Sequence, residues 1–225
     1  MIPRRVFFIW LGSPIPGWAA ENVRRFRSLN PKFEVSVCGD DEDLPMTWRQ
    51  RCQTLRGKYA LCQQADLIRV WLLLTHGGWY FDTDFVFLRP MDELYDEFSG
   101  FPRDAFLTRH KGRLNLIANG VIGAEADSSL LLALRQELEH TIERHSPPEW
   151  GDFGPALYTN LIARQPGLAH IADTPLFYPY PDKIKEAKRA ANAIYESDYA
   201  PEVVSENAPG NPYALHFSMQ GDLTL

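Results

Sequence analysis

A chain of 225 residues, 45% apolar and 12% aromatic, is long enough for one sizeable core with at most a small subdomain. Its formal charge of −6 speaks against a general nucleic-acid binder, which needs a basic face, and no apolar run approaches the ~20 residues that span a bilayer. The three cysteines, Cys38, Cys52 and Cys62, are odd in number and lack a C-x-x-C pair. They give neither a disulfide framework nor a zinc ribbon, and a reducing cytoplasm is their simplest setting.

The opening stretch MIPRRVFFIWLGS runs basic then apolar, as a signal peptide does, but its apolar core is only Val6 to Trp10 and no small-residue cleavage site follows. It reads as a first buried strand ended by the turn-rich LGSPIPG. Ala19 to Leu29 has helical character with a basic side, Asn30-Pro31 breaks it, and Phe33 to Cys38 alternates like a second strand. This is a β-α-β opening, followed by the solvated acidic loop GDDEDLP. Lys58 to His76 is the strongest predicted helix, with Leu61, Ala65, Ile68 and Leu72 on one stripe and Gly77-Gly78 as its stop. Trp79 to Val86 reads as a strand interrupted by carboxylates, and Leu116 to Ala124 as a further apolar segment. Helices are predicted from Ser128 to about Arg144 and from Pro155 to Arg164, with Ser146-Pro-Pro opening a loop between them. Beyond Gln165 the pattern weakens into proline-rich loops around a basic helix, and Tyr213 to Phe217 suggests a last short strand.

The run GGWYFDTDF places Asp82 and Asp84 in otherwise apolar surroundings. An unpaired ionised carboxylate taken out of water costs roughly several kcal/mol. Residues two apart on a strand project to the same face, so the two carboxylates can converge on one object while Thr83 points into packing. Hard oxygen ligands suit Mg²⁺ or Mn²⁺, ions that complete their shell with phosphate and water. Asp66 and Arg69, three apart on the predicted helix, share a face and would arrive beside that pair. The plainer alternative is a structural ion pair next to a bulged edge strand.

Ala65 to Phe85, ADLIRVWLLLTHGGWYFDTDF, resembles the sugar-binding region of the D-x-D glycosyltransferases of family 32, which include capsular-polysaccharide and initiating mannosyltransferase types. It is similar also to the large clostridial glucosylating toxins, with their A-D-x-x-R … G-G-x-Y-x-D-x-D arrangement. The resemblance extends to Ile2-Pro3 with Phe8 to Gly12, to Asn30 to Glu34, to Ala118 to Gly123, to Gly154 to Thr159, and to Tyr213 to His216. It implies an α/β chain with the GT-A fold: a Rossmann-like mixed sheet flanked by helices. Residues 1–164 would form the nucleotide-sugar-binding core, and residues 165–225 the acceptor-side loops and a terminal metal-ligand strand.

The resemblance also implies roles. Trp10 would stack on the nucleotide base, where a plain core tryptophan is the alternative. Leu11 and Tyr80 would line the nucleotide-sugar site. Asp66 and Arg69 would contact the donor sugar, with Arg69 able to reach phosphate. Asp82 would bind the ribose and approach the metal through water, and Asp84 would ligate it directly. His216 would be a further ligand, a satisfied core histidine being the alternative. Asn119 would face the donor sugar or the reacting centre. Asp152 would lie near the anomeric carbon, although capping the helix that follows is the favoured role for an aspartate so placed. The chain departs from its relatives in its tail, where no tryptophan follows His216.

The activity implied is a retaining, Mn²⁺- or Mg²⁺-dependent transfer from a nucleotide-sugar, a UDP-sugar ahead of a GDP-sugar. The acceptor would be a saccharide or another hydroxyl, lipid-linked or on a protein. Two rivals stand beside it: a metal-dependent nucleotidyltransferase or phosphohydrolase, and a non-enzymatic nucleotide-sugar-binding module. Other signatures fail on spacing: there is no G-x-S-x-G or Walker loop, and His140 and His145, five apart, cannot share a zinc as H-E-x-x-H does.

Overall fold

The computed structural model describes residues 1–12, 14–40, 43–57, 60–98, 104–110, 116–143, 149, 151–179 and 210–217. The basic segment at residues 183–189, the Ser146-Pro-Pro loop and the tail beyond Phe217 lie outside them. The chain opens with β1 (Arg5–Ile9), α1 (Gly17–Leu29) and β2 (Glu34–Cys38), followed by α2 (Met46–Thr54), α3 (Ala60–His76), β3 (Gly78–Phe81) and β4 (Phe85–Phe87). Then come α4 (Asp92–Phe98), β5 (Ala105–His110), β6 (Leu116–Ala124), α5 (Ser129–Glu143), α6 (Pro155–Arg164), β7 (His170–Ala172), a 3-10 turn at Thr174–Leu176, and β8 (Ala214–His216).

Six strands form one mixed sheet in the order β2-β1-β3-β6-β5-β7, and β4 and β8 form a separate two-stranded sheet. β1 pairs in parallel with β2 and β3, while β6 runs antiparallel to both β3 and β5. The apolar run of β1 suits a central strand covered on both faces. Successive side chains alternate between two cores. Phe7 and Ile9 enter a leucine-rich core with α2, α3, α5 and α6. Val6 and Phe8 enter an aromatic core with Phe26 of α1, Phe81, Phe85, Phe87 and Phe177.

The turn from α3 into β3 needs its two glycines. Gly77 and Gly78 have φ of +60° and +114°, and a Cβ on Gly78 would stand 2.6 Å from the Arg5 carbonyl oxygen. Only glycine enters that backbone region at no steric cost. The stripe predicted on α3 is corrected in part: Ile68 and Leu72 are buried, but Leu61 is 50% exposed and lies against Gly12.

The stretch from Trp79 to Val86 is not one strand. β3 ends at Phe81, β4 begins at Phe85 in the other sheet, and Asp82-Thr83-Asp84 make the turn between them. The carboxylates converge because the backbone folds there, with the Phe85 N–H donating to the Asp82 carbonyl at 3.4 Å. Thr83 is buried, as its predicted inward direction requires, and its carbonyl accepts from the Asn22 side chain at 2.8 Å. The last strand pairs with β4 in the register Phe85↔His216, which carries the histidine to the turn.

A bulge between β5 and β6 completes the frame. Leu107 pairs with Ile122, but the next residue, Thr108, pairs with Ala118. Asn119, Gly120 and Val121 thus have no β5 partner, and bulges of this kind re-aim side chains beside functional sites.

Candidate active site

Two clusters meet at the C-terminal ends of β1 and β3. The first is buried. Arg69 (5% exposed) reaches Asp66 (8% exposed) one helical turn away, its Nη2 lying 3.1 Å from Asp66 Oδ1. Its Nη1 donates to the Asn119 carbonyl at 2.6 Å and stands 3.4 Å from Asp82 Oδ1. The guanidinium carbon sits 4.3 Å above the Tyr80 ring, a cation–π contact. Asn119 Nδ2 donates to Asp66 Oδ1 at 2.8 Å. The bulged backbone therefore serves Arg69 with its carbonyl and Asp66 with its side chain.

Burial pushes the Asp66 carboxyl up to about 6, against the pull of Arg69 and Asn119. Burial also works against the charge on Arg69, yet Tyr80 and the carboxylates of Asp66 and Asp82 hold it protonated. Gly154, at the start of α6, closes this cluster: a Cβ there would stand 3.0 Å from Asp66 Oδ2 and 3.2 Å from Asn119 Nδ2. One turn on, the buried Tyr158 hydroxyl has no hydrogen-bond partner among the described residues and feels the charges of Arg69, Asp66 and Asp82.

The second cluster is partly open. One ligand atom each from Asp82, Asp84 and His216 lies within 4.8 Å of the others. The Asp82 Oδ1 accepts from the Tyr80 hydroxyl at 2.6 Å, and His216 Nε2 stands 3.3 Å from Asp84 Oδ1. Burial would drive a proton off His216, but the neighbouring Asp84 and, further away, Asp82 outweigh it and hold the imidazolium above its ordinary range. Two carboxylates and an imidazole drawn to one point suit Mn²⁺ or Mg²⁺, and the Asp84–His216 approach shows that the carboxylates need local positive charge. The donor set fits such an ion.

Beside these clusters the end of β1 offers an aromatic wall. Trp10 is half-buried and meets Trp18 edge to face at 5.6 Å, and Trp18 meets Phe217 at 5.8 Å. Leu11 is buried among the α3-side core residues. Asp152 does not cap α6: the N-cap is Gly154 without a side-chain bond, and Asp152 Oδ2 accepts instead from the Glu149 N–H at 2.7 Å in a local turn.

The sequence reading named Asp66, Arg69, Asn119, Tyr80, Asp82, Asp84 and His216, and the fold brings all seven together. It missed Tyr158, Tyr178, Trp18 and the close-approach glycines, Gly120 and Gly154. Of these, Gly120, Gly154 and Tyr158 lie in stretches that carry the resemblance, Ala118 to Gly123 and Gly154 to Thr159, and Tyr178 and Trp18 in none.

The family model for a glycosyltransferase sugar-binding region containing a DXD motif matches residues 18–99, less than half of the chain. Among solved structures, the PaToxG glycosyltransferase aligns with a TM-score of 0.57 at 14% identity, over 92% of this chain and 79% of that one. The glycosyltransferase GlyE of Streptococcus pneumoniae aligns at 0.55 and 15% identity, over 98% of this chain but 55% of its own. Mouse xyloside xylosyltransferase 1 aligns at 0.55 and 11% identity, over 97% and 99%. Likeness at such identities is one of fold: this chain has the GT-A fold, a mixed sheet flanked by helices, with a D-x-D-type region in its first half.

Proposed function

We propose that this chain is a metal-dependent glycosyltransferase that moves a sugar from a nucleotide-sugar, a UDP-sugar ahead of a GDP-sugar, to a hydroxyl of a saccharide or other acceptor with retention of configuration. The observation that carries the reading is the joining of the two clusters through Asp82, which stands 3.4 Å from Arg69 and within 4.8 Å of the Asp84 and His216 ligand atoms. A cluster suited to sugar hydroxyls and a cluster suited to a cation would then be neighbours. The solved glycosyltransferases that share the fold support the same reading.

Transfer breaks the bond between the anomeric carbon and the leaving phosphate, and negative charge grows on the diphosphate as it departs. A divalent ion held by Asp84 and His216, with Asp82, would supply charge compensation for that diphosphate. Arg69 would add a fixed positive charge at the junction of sugar and phosphate. Asp66, held by Asn119 and Arg69, would accept from sugar hydroxyls and fix the pose of the ring. Trp10 would cover the base. Asp152, whose Oδ2 accepts from the Glu149 N–H in the turn before α6, would lie toward the anomeric carbon. Residues 1–164 would form the donor half, residues 165–225 the acceptor side, and saccharide assembly in the cytoplasm is the setting proposed.

The test is hydrolysis of a panel of UDP- and GDP-sugars with Mn²⁺, read as release of free sugar. Turnover by the wild-type chain and none by D84A would support the reading. Cleavage of nucleotides that carry no sugar, at the same rate, would replace it with a phosphohydrolase. Stabilisation by nucleotide-sugars without turnover under any acceptor condition would leave a binding module.

A further inference from the structure

Tyr178 belongs to no motif and follows the 3-10 turn in a proline-rich stretch, yet it is 4% exposed and stands at the centre of the site. Its position is fixed by the bulge in β6. An added Cβ on Gly120 would lie 2.8 Å from the Tyr178 hydroxyl oxygen and 2.6 Å from Asp82 Oδ2. The two oxygens therefore converge over one bare stretch of backbone, which only a glycine leaves open. The same Asp82 is held at its other oxygen by the Tyr80 hydroxyl at 2.6 Å and, more loosely, by Arg69 at 3.4 Å.

The Tyr178 ring packs against the His216 ring at 5.0 Å and against Phe85 at 5.4 Å. One side chain thus neighbours two of the three candidate ligands, His216 through its ring and Asp82 across Gly120. The buried Thr108, the β5 residue at which the register steps, also neighbours the phenol oxygen.

We infer that Tyr178 is a positioning residue of the Asp82–Asp84–His216 centre: its hydroxyl fixes the outer oxygen of Asp82 and its ring fixes the plane of the His216 imidazole. The inference rests on the cation reading of that cluster. Partners of metal ligands set the ligands' orientation and basicity, and removing one lowers metal affinity about 10- to 100-fold.

The experiment uses the full chain, Mn²⁺ alone and no donor, with the free-Mn²⁺ signal followed by electron paramagnetic resonance. Wild type, Y178F and D84A are titrated in parallel, and urea unfolding of each metal-free protein is recorded. Y178F keeps the ring and removes only the hydroxyl, so the expected result is a Kd for Mn²⁺ raised about tenfold or more with the metal-free unfolding midpoint unchanged. An unchanged Kd overturns the assignment, as does a weaker Kd matched by lost metal-free stability, which would make Tyr178 a packing residue. If the wild-type chain takes up no Mn²⁺, the cation reading falls and takes this inference with it. If wild type binds and only D84A fails, the cation reading stands and the role of Tyr178 alone is refuted.

Discussion

The two halves of the site differ in how their charge is balanced. Asp66 and Arg69 are buried, and each has its opposite charge or a hydrogen bond within reach: Asp66 has Arg69 and Asn119, and Arg69 has Asp66, Asp82 and the Asn119 carbonyl. Asp82, Asp84 and His216 are more open and bring two carboxylates to one imidazole, which offers a full positive charge only when protonated. The first half is finished when the chain folds. Among the described residues the second sets two carboxylates against one imidazole, a balance that an outside cation would shift. Preorganisation and incompleteness sit side by side, joined by one carboxylate.

The sharpest way to break this contrast is D84A. It removes one candidate ligand together with the Asp84–His216 pair, so Mn²⁺ uptake should be abolished, while the metal-free loss in urea should stay below that of a fully buried pair, because Asp82 remains beside the imidazole and repulsion between the carboxylates is relieved. A D84A chain that still binds Mn²⁺ as wild type does would show that the cluster is not the metal site. Next in size is R69M in the balanced half. Breaking a buried pair strands a charge, and unfolding should show a loss of about 3–5 kcal/mol. A loss no larger than that of a surface pair would mean that the cluster is not preorganised.

G154A tests the fit of the same half. A methyl 3.0 Å from Asp66 Oδ2 must displace Asp66 or the start of α6, at about 1–3 kcal/mol in stability, with a raised KM for the donor if Asp66 holds the sugar. Acid titration isolates Asp66 itself. Its carboxyl rises from 3.8 to about 6 on folding, so the native chain binds this proton more tightly than the unfolded one. The stability it contributes is complete below 3.8 and is lost as the pH climbs through about 6. Urea midpoints of wild type and D66N over that window should diverge in slope, the wild type falling and the variant lacking that component. The smallest effect is expected of Y158F. A buried hydroxyl without a partner gains nothing from staying, so its removal should leave stability level or raise it by up to about 1–3 kcal/mol.

The buried half was largely legible in the sequence. Three-residue spacing placed Asp66 and Arg69 on one face, the paired glycines marked the turn, α6 keeps the limits read for it, and β6 coincides with the apolar segment Leu116 to Ala124. The open half was legible as residues and misread as structure. Asp82 and Asp84 were expected to converge by strand alternation, but they occupy a turn between two sheets, and no local pattern announces that β4 takes a partner from the far end of the chain. Other elements left little local signal. α2 reads MTWRQRCQT, without a clear apolar stripe, and the three residues of β7 are too few to show a period. Tyr178 and Tyr158 could not have been found from spacing, since what defines them is a bulge and a helix start that bring distant backbone against them.

The pairing of Phe85 with His216 also bears on how the molecule is made. On the ribosome the aspartates emerge long before the imidazole, and the strand that carries it must find β4 after the six-stranded sheet has had time to form. Until that strand docks, the nascent chain presents a carboxylate pair without its third ligand. On the proposed reading, strong cation binding would be switched on by that docking, as a signature of a chain that has closed its second sheet.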